Sequence, residues 1–161
     1  MAKIRITRRF HFEMAHALQG YEGLCRNIHG HSYHLEITVN GNVADRPGDP
    51  DDGMLMDFHN LKALVKTCIT DQFDHALMIN RNTPAGHSTA WQDITERLIM
   101  VDFQPTTENL VTYIARLLIP LLPEGINLFC VRLFETENSF AEWYASDNEQ
   151  ADYEGLPEII S

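Results

Sequence analysis

The chain has 161 residues, 44% of them hydrophobic, with 12 Lys and Arg against 23 Asp and Glu, for a formal charge of −11. Such a length and apolar fraction suit one packed domain and exclude disordered, collagen-like and coiled-coil chains. The charge argues against non-specific binding to nucleic acid or an anionic membrane, and no uncharged apolar run approaches the roughly 20 residues of a transmembrane helix. Cys25, Cys68 and Cys130 are an odd number of cysteines at irregular spacing, which fits a reducing compartment better than a disulfide framework. Residues 1–10 alternate charged and apolar side chains and do not read as a signal peptide. The expected location is the cytoplasm.

Ile4, Ile6, Phe10, Phe12 and Met14 recur at period two, which predicts a strand with one apolar face. A loop rich in Gly and Tyr follows from Gln19 to Asn27. His29, His31, Tyr33, Leu35, Ile37 and Val39 then alternate with polar residues, predicting a second strand antiparallel to the first. The stretch Asp45–Gly53, with its Pro and Gly residues, reads as a loop. Asp57 is placed to cap a helix whose stripe is Leu61, Leu64, Val65, Cys68 and Ile69. A polar stretch over Asn80–Thr89 leads to a helix-like segment, Trp91–Ile99. Pro105-Thr106-Thr107 opens another amphipathic helix, with Leu110, Ile114, Leu117, Leu118 and Leu121 on its stripe. Ile126–Glu137 and Phe140–Ala145 read as closing strands.

The predicted order ββααββ argues for an α+β fold, an antiparallel four-stranded sheet with two helices on one face. It occupies residues 1–145 as a single domain, and residues 146–161 form an acidic tail with five acids and no Lys or Arg. On the third strand Phe129, Val131 and Leu133 are expected on one face and Leu128, Cys130 and Phe134 on the other. Helices cover one face only, so a second apolar face would be covered by another subunit.

The histidines carry the chemistry. His29 and His31 are two apart on one strand and point the same way, roughly 6–7 Å apart, and His16 shares the inward parity of the neighbouring strand. Three imidazoles with a fourth position open are the pattern of a catalytic zinc site. Cys25, four residues before His29, is either a passive thiol or a base or nucleophile beside the metal. Asp74-His75 is either a polar turn or an imidazole with its orienting carboxylate. Glu135, at the end of an apolar row, stands at the sheet edge in water or anchors N–H donors in a pocket. Thr106, Thr107 and Glu108 suit a helix start.

His16 after Phe12-Glu13-Met14-Ala15, and Cys25-x-x-x-His29-Gly30-His31, resemble the signature of the 6-pyruvoyl-tetrahydropterin and 6-carboxytetrahydropterin synthase family. Gly53-Met54-Leu55-Met56-Asp57-Phe58, Asp74-His75, Pro105-Thr106-Thr107-Glu108-Asn109 and Leu133-Phe134-Glu135-Thr136 complete it, in order, over residues 4–145. The resemblance implies the tunnelling fold, assembled as a homohexamer of two trimers with active sites between subunits. It implies His16, His29 and His31 as ligands of Zn2+, Cys25 as catalytic base, and Asp74 with His75 as its relay. Glu135 would grip the pterin, with Thr106, Thr107 and Glu108 beside it. The implied substrate is 7,8-dihydroneopterin triphosphate. The short gap between Cys25 and His29 resembles the carboxy-forming branch, a lyase releasing acetaldehyde and yielding 6-carboxy-5,6,7,8-tetrahydropterin, a queuosine precursor. A pyruvoyl-forming synthase and a non-catalytic zinc- and pterin-binding protein are the alternatives. The segment 80–104 is longer than the family's usual connection. Arg8, Arg9 and Arg26 are candidates for the triphosphate by their nearness to the motif.

Overall fold

The computed structural model describes residues 2–148. Strands β1 (Lys3–His16) and β2 (His29–Asn42) pair antiparallel over their whole length, from Lys3 opposite Asn42 to His16 opposite His29. Alternation puts Phe12, Met14 and His16 on the same face as Tyr33, Leu35, Ile37 and Val39, all buried. Helix α1 (Phe58–Val65) starts at Asp57, whose carboxylate accepts the His59 N–H at 2.7 Å. It runs on through a π-helical turn, Lys66–Thr70, into the single turn α2 (Asp71–Phe73). The wider turn keeps Leu61, Val65, Ile69 and Phe73 on one buried line, while Leu64 and Cys68 fall to its edge. Helix α4 (Thr107–Leu118), capped by Thr106, buries Leu110, Ile114 and Leu118 against the same face of the sheet.

The sheet has six strands, not four. Strand β3 (Ala76–Asn80) pairs parallel to β1, β4 (Leu98–Val101) pairs parallel to β3, and the order is β4-β3-β1-β2-β5-β6. The expectation of a four-stranded antiparallel sheet is corrected on both counts. Ala76, Leu77, Met78 and Ile79 are all buried, so this strand carries no alternation by which to recognise it. The segment Trp91–Ile99 is likewise divided: only α3 (Trp91–Ile94) is helical, and the apolar run after Arg97 is strand. Short apolar runs do not distinguish the two by periodicity. The long connection 80–104 therefore adds an edge strand, fixed at its base where Arg81 pairs with Asp102 at 3.0 Å.

Strands β5 (Ile126–Thr136) and β6 (Ser139–Tyr144) close the other edge, antiparallel as expected. A bulge corrects the faces of β5. Thr38 is opposite Cys130 but Val39 is opposite Leu128, so Phe129 is the extra residue and Leu128 joins Val131 and Leu133 in the core. Phe129 lies instead with Arg5, whose guanidinium carbon is 3.7 Å from its ring centroid. The outer face is also less apolar than predicted. Glu36 binds Arg9 at 2.8 Å and Arg132 at 3.1 Å, and Arg132 binds Glu142 at 2.6 Å. Among the described residues no helix is long and apolar enough to cross a membrane. Of the acidic stretch, Ala145–Asp147 make a 3-10 turn, and residues 149–161 lie outside the described residues.

Candidate functional site

His16 and His29 are cross-strand partners at the end of the β1–β2 pair, and His31 follows on the same face. The three rings meet with centroids 4.5 to 5.2 Å apart, and one nitrogen from each lies within 4.8 Å of the others. His16 is buried and the other two are half-buried. This is the grouping the sequence predicts, and it can hold a metal ion.

The hydrogen bonds say how the rings are poised. His16 Nδ1 lies 2.6 Å from the Pro105 carbonyl oxygen and His29 Nδ1 lies 2.8 Å from that of Asn27. A carbonyl only accepts, so both Nδ1 atoms are protonated donors, and in the neutral form of each ring the Nε2 atom is left with the bare lone pair. Those two Nε2 atoms are 3.1 Å apart. Two lone pairs held that close repel unless a proton or a cation lies between them. His31 Nε2 is buried without a hydrogen-bond partner. Burial lowers the pKa of His16 and of His31, Glu135 opposing it in both, which favours the neutral, ligating form. Donor set, tautomers and orphaned nitrogen all fit a divalent cation.

Sequence reasoning missed Pro105 and Asn27, because a backbone acceptor leaves no side-chain signature. It also missed Tyr33, fully buried with its ring edge-on to His16 and His31 and its hydroxyl unpartnered. Burial raises that phenol's pKa far above the usual range, so it stays neutral.

Beside the histidines lies a cavity of about 300 Å³ lined by Cys25, Thr106, Thr107, Glu108 and Glu135. The elements that converge there are the 3-10 turn Leu24–Arg26, the start of α4 and the end of β5. Thr106 Oγ1 accepts the Asn109 N–H at 3.3 Å as the helix cap, while Thr107 Oγ1 is buried without a partner. Glu135 falls at a second bulge, where the β5–β6 register shifts between Phe134 and Thr136. Its Oε1 is 3.3 Å from His31 Nε2 and 3.7 Å from His16 Nε2, so the carboxylate stands between the histidine cluster and the cavity. Of the three arginines, Arg9 is committed to Glu36, Arg8 is half-buried on β1, and Arg26 is exposed, next in sequence to the cavity residue Cys25 but not itself on the cavity wall.

Asp74 and His75 are elsewhere. A separate opening beside Glu13, Gly30 and Ser32 contains His75 and not Cys25. Both residues are fastened to Glu13: its N–H donates to Asp74 Oδ1 at 2.9 Å, and its carbonyl accepts the His75 N–H at 2.6 Å. Asp74 Oδ2 lies 3.0 Å from His75 Nδ1. The Glu13 N–H and the neighbouring imidazole hold the Asp74 carboxyl below its ordinary pKa. His75 has φ of +59°, the left-handed region. Carboxylate and imidazole are thus together, but within one chain His75 and Cys25 line different openings.

The sequence profile described as 6-pyruvoyl tetrahydropterin synthase matches residues 5–146. The chain belongs to this synthase family. A 6-carboxy-5,6,7,8-tetrahydropterin synthase of Haemophilus influenzae is 32% identical over 141 residues, covering 86% of this chain and 97% of that one. A 6-pyruvoyl tetrahydrobiopterin synthase of Dictyostelium discoideum is 32% identical over 145 residues, covering 84% and 91%. The 6-pyruvoyl tetrahydropterin synthase structure of Caenorhabditis elegans superimposes with a TM-score of 0.65 at 22% identity, over 89% of this chain and 96% of that one. The family fold is thereby shown, and the synthases are enzymes. Histidine cluster, cavity and Asp74–His75 pair all lie within the matched residues.

Proposed function

We propose that this synthase is a zinc-dependent 6-carboxy-5,6,7,8-tetrahydropterin synthase. It converts 7,8-dihydroneopterin triphosphate and water to 6-carboxytetrahydropterin, acetaldehyde and triphosphate, in the cytoplasm, as an early step toward queuosine. The observation that carries the reading is the pair of facing Nε2 atoms of His16 and His29, with Cys25 and Glu135 on the adjoining cavity. The edge of a tetrahedron with zinc–nitrogen bonds of 2.0–2.1 Å is about 3.3 Å, close to the 3.1 Å between those atoms. The carboxy branch is favoured by the relative from Haemophilus influenzae, of which this chain covers 97%.

His16, His29 and His31 would hold the zinc, and when bound it supplies Lewis acidity toward the side-chain hydroxyls of the substrate. Glu135 accepts the N–H donors of the pterin's guanidine-like edge in charge-assisted hydrogen bonds. Thr106, Thr107 and Glu108 lie beside that edge, and Thr107 Oγ1 is free to bond it. Cys25 takes the proton from the substrate side chain. Arg26, exposed beside Cys25 in sequence, is the candidate to meet the triphosphate. Asp74 and His75, on another opening than Cys25 within the chain, complete a neighbouring copy's site, and the homohexamer of two trimers that the family resemblance implies is the working form.

The test is mass spectrometry of products from zinc-loaded protein and 7,8-dihydroneopterin triphosphate. Carboxytetrahydropterin with acetaldehyde is expected. A pyruvoyl product without acetaldehyde moves the chain to the other branch, to which its relative in Dictyostelium discoideum is assigned by name. Unchanged substrate with zinc bound overturns both in favour of a binding protein.

A further inference from the structure

The large apolar side chains left exposed among the described residues include two that line the Cys25–Glu135 cavity, Tyr21 at 54% and Phe140 at 50%. Exposed aromatic rings forgo the burial that stabilises the rest of the core, and two on one small cavity with a carboxylate suit a flat, N–H-bearing heterocycle. Phe140 is braced from behind. Its ring packs on Phe134 with centroids 4.8 Å apart, and the Arg132 guanidinium lies 5.4 Å from it, itself tied to Glu142 and Glu36.

Tyr21 is held differently. It sits in the loop between β1 and β2, which closes where the Leu18 N–H donates to the Cys25 carbonyl at 2.9 Å. A Cβ on Gly23 would meet the Tyr21 ring, 2.4 Å from Cε1 and 3.1 Å from Cζ. Gly23 has φ of −91° and ψ of −177°, ordinary extended backbone that needs no glycine. What requires glycine there is room for the ring. Gly23 is not itself on the cavity wall.

We propose that Tyr21 and Phe140 are stacking surfaces for the pterin ring whose edge Glu135 grips, and that Gly23 is the positioning residue that seats Tyr21. The inference rests on the functional reading above. Stacking on an aromatic side chain contributes enough that its loss is felt as about a tenfold change in affinity. It acts alike on ground and transition states, so its loss appears in KM rather than kcat.

The experiment titrates the zinc-loaded full chain with neopterin, following the pterin fluorescence, and measures kcat and KM for 7,8-dihydroneopterin triphosphate. Tyr21→Leu and Phe140→Leu are each expected to weaken neopterin binding by about tenfold and raise KM to match. Zinc content and kcat are expected to hold. Tyr21→Phe and Phe140→Tyr, which keep the rings and guard against simple misfolding, are expected to bind like the wild type. Gly23→Ala is expected to reproduce Tyr21→Leu and to add nothing in the double variant, because both act through one ring. Wild-type affinity in the two leucine variants overturns the stacking role. Losses that multiply in the double variant overturn the role of Gly23. A wild type that neither binds neopterin nor turns over the triphosphate overturns the functional reading, and this inference with it.

Discussion

His16 Nδ1 donates to the main-chain carbonyl of Pro105 at 2.6 Å, across 89 positions of sequence. The next residue, Thr106, caps α4 and lines the cavity. Orientation of a candidate metal ligand and the start of the helix that borders the cavity are therefore one structural unit. Thr106→Ala removes the cap and is expected to cost about 1 kcal/mol of stability. Because the Pro105 carbonyl loses its anchor, metal affinity is also expected to fall, by about tenfold. Chemical denaturation and competitive metal titration measure the two effects on one variant.

Burial lowers the pKa of His16 and His31. A histidine whose folded pKa is depressed binds its proton more weakly folded than unfolded. The metal-free protein is then expected to lose stability as pH falls below the unfolded imidazole value of about 6.5, through the lower folded values. Above that pH the rings are neutral in both states and contribute no slope. Metal affinity of the folded protein should hold to lower pH, because protons compete for the His16 and His31 nitrogens only as the pH falls through their lowered folded values. Thermal melts with and without a chelator from pH 5 to 8 check this; a metal-free melting temperature that rises on acidification contradicts it.

The candidate metal site is legible in the sequence because β1 and β2 each alternate regularly, and parity alone then puts His16, His29 and His31 on one face. Glu135 continues the row of Val131 and Leu133 in the sequence, but it falls where the β5–β6 register shifts, so its place beside the histidines is signalled by the motif resemblance and not by parity. Where the ladder is irregular, parity fails. The bulge at Thr38 and Val39 moves Phe129 out and Leu128 in, and no residue type there announces it. The strands Ala76–Asn80 and Leu98–Val101 are hidden because both are short, and four of the first strand's five residues are buried. The distance between Cys25 and the Asp74–His75 pair is a tertiary property that a linear motif does not contain.

His75 keeps a left-handed backbone, φ +59°, with its side chain 73% exposed. A non-glycine residue there costs roughly 1–2 kcal/mol, and little packing compensates it. His75→Gly is expected to leave the fold as stable or to stabilise it by up to about 1 kcal/mol, after the glycine's greater unfolded-state entropy is subtracted. Turnover is expected to be lost. A variant at once more stable and inactive identifies the strain as one retained for catalysis. A variant that keeps full activity removes His75 from the proposed relay.

Cys25 lines one opening of the chain and His75 another, so an active site that needs both is expected to draw them from two copies. Cys25→Ala and His75→Ala should each be inactive, and each should still load metal, since neither residue belongs to the histidine cluster. Mixed by co-expression, the two variants form some interfaces with an intact Cys25 from one copy and an intact His75 from the other. Random assembly in equal amounts predicts recovery of about one quarter of wild-type activity. The two variants purified apart and mixed without exchange of subunits should recover none. Activity measured across a series of mixing ratios should peak at equal proportions. A mixture as inactive as its components means that Cys25 and His75 act within one chain, or not together at all.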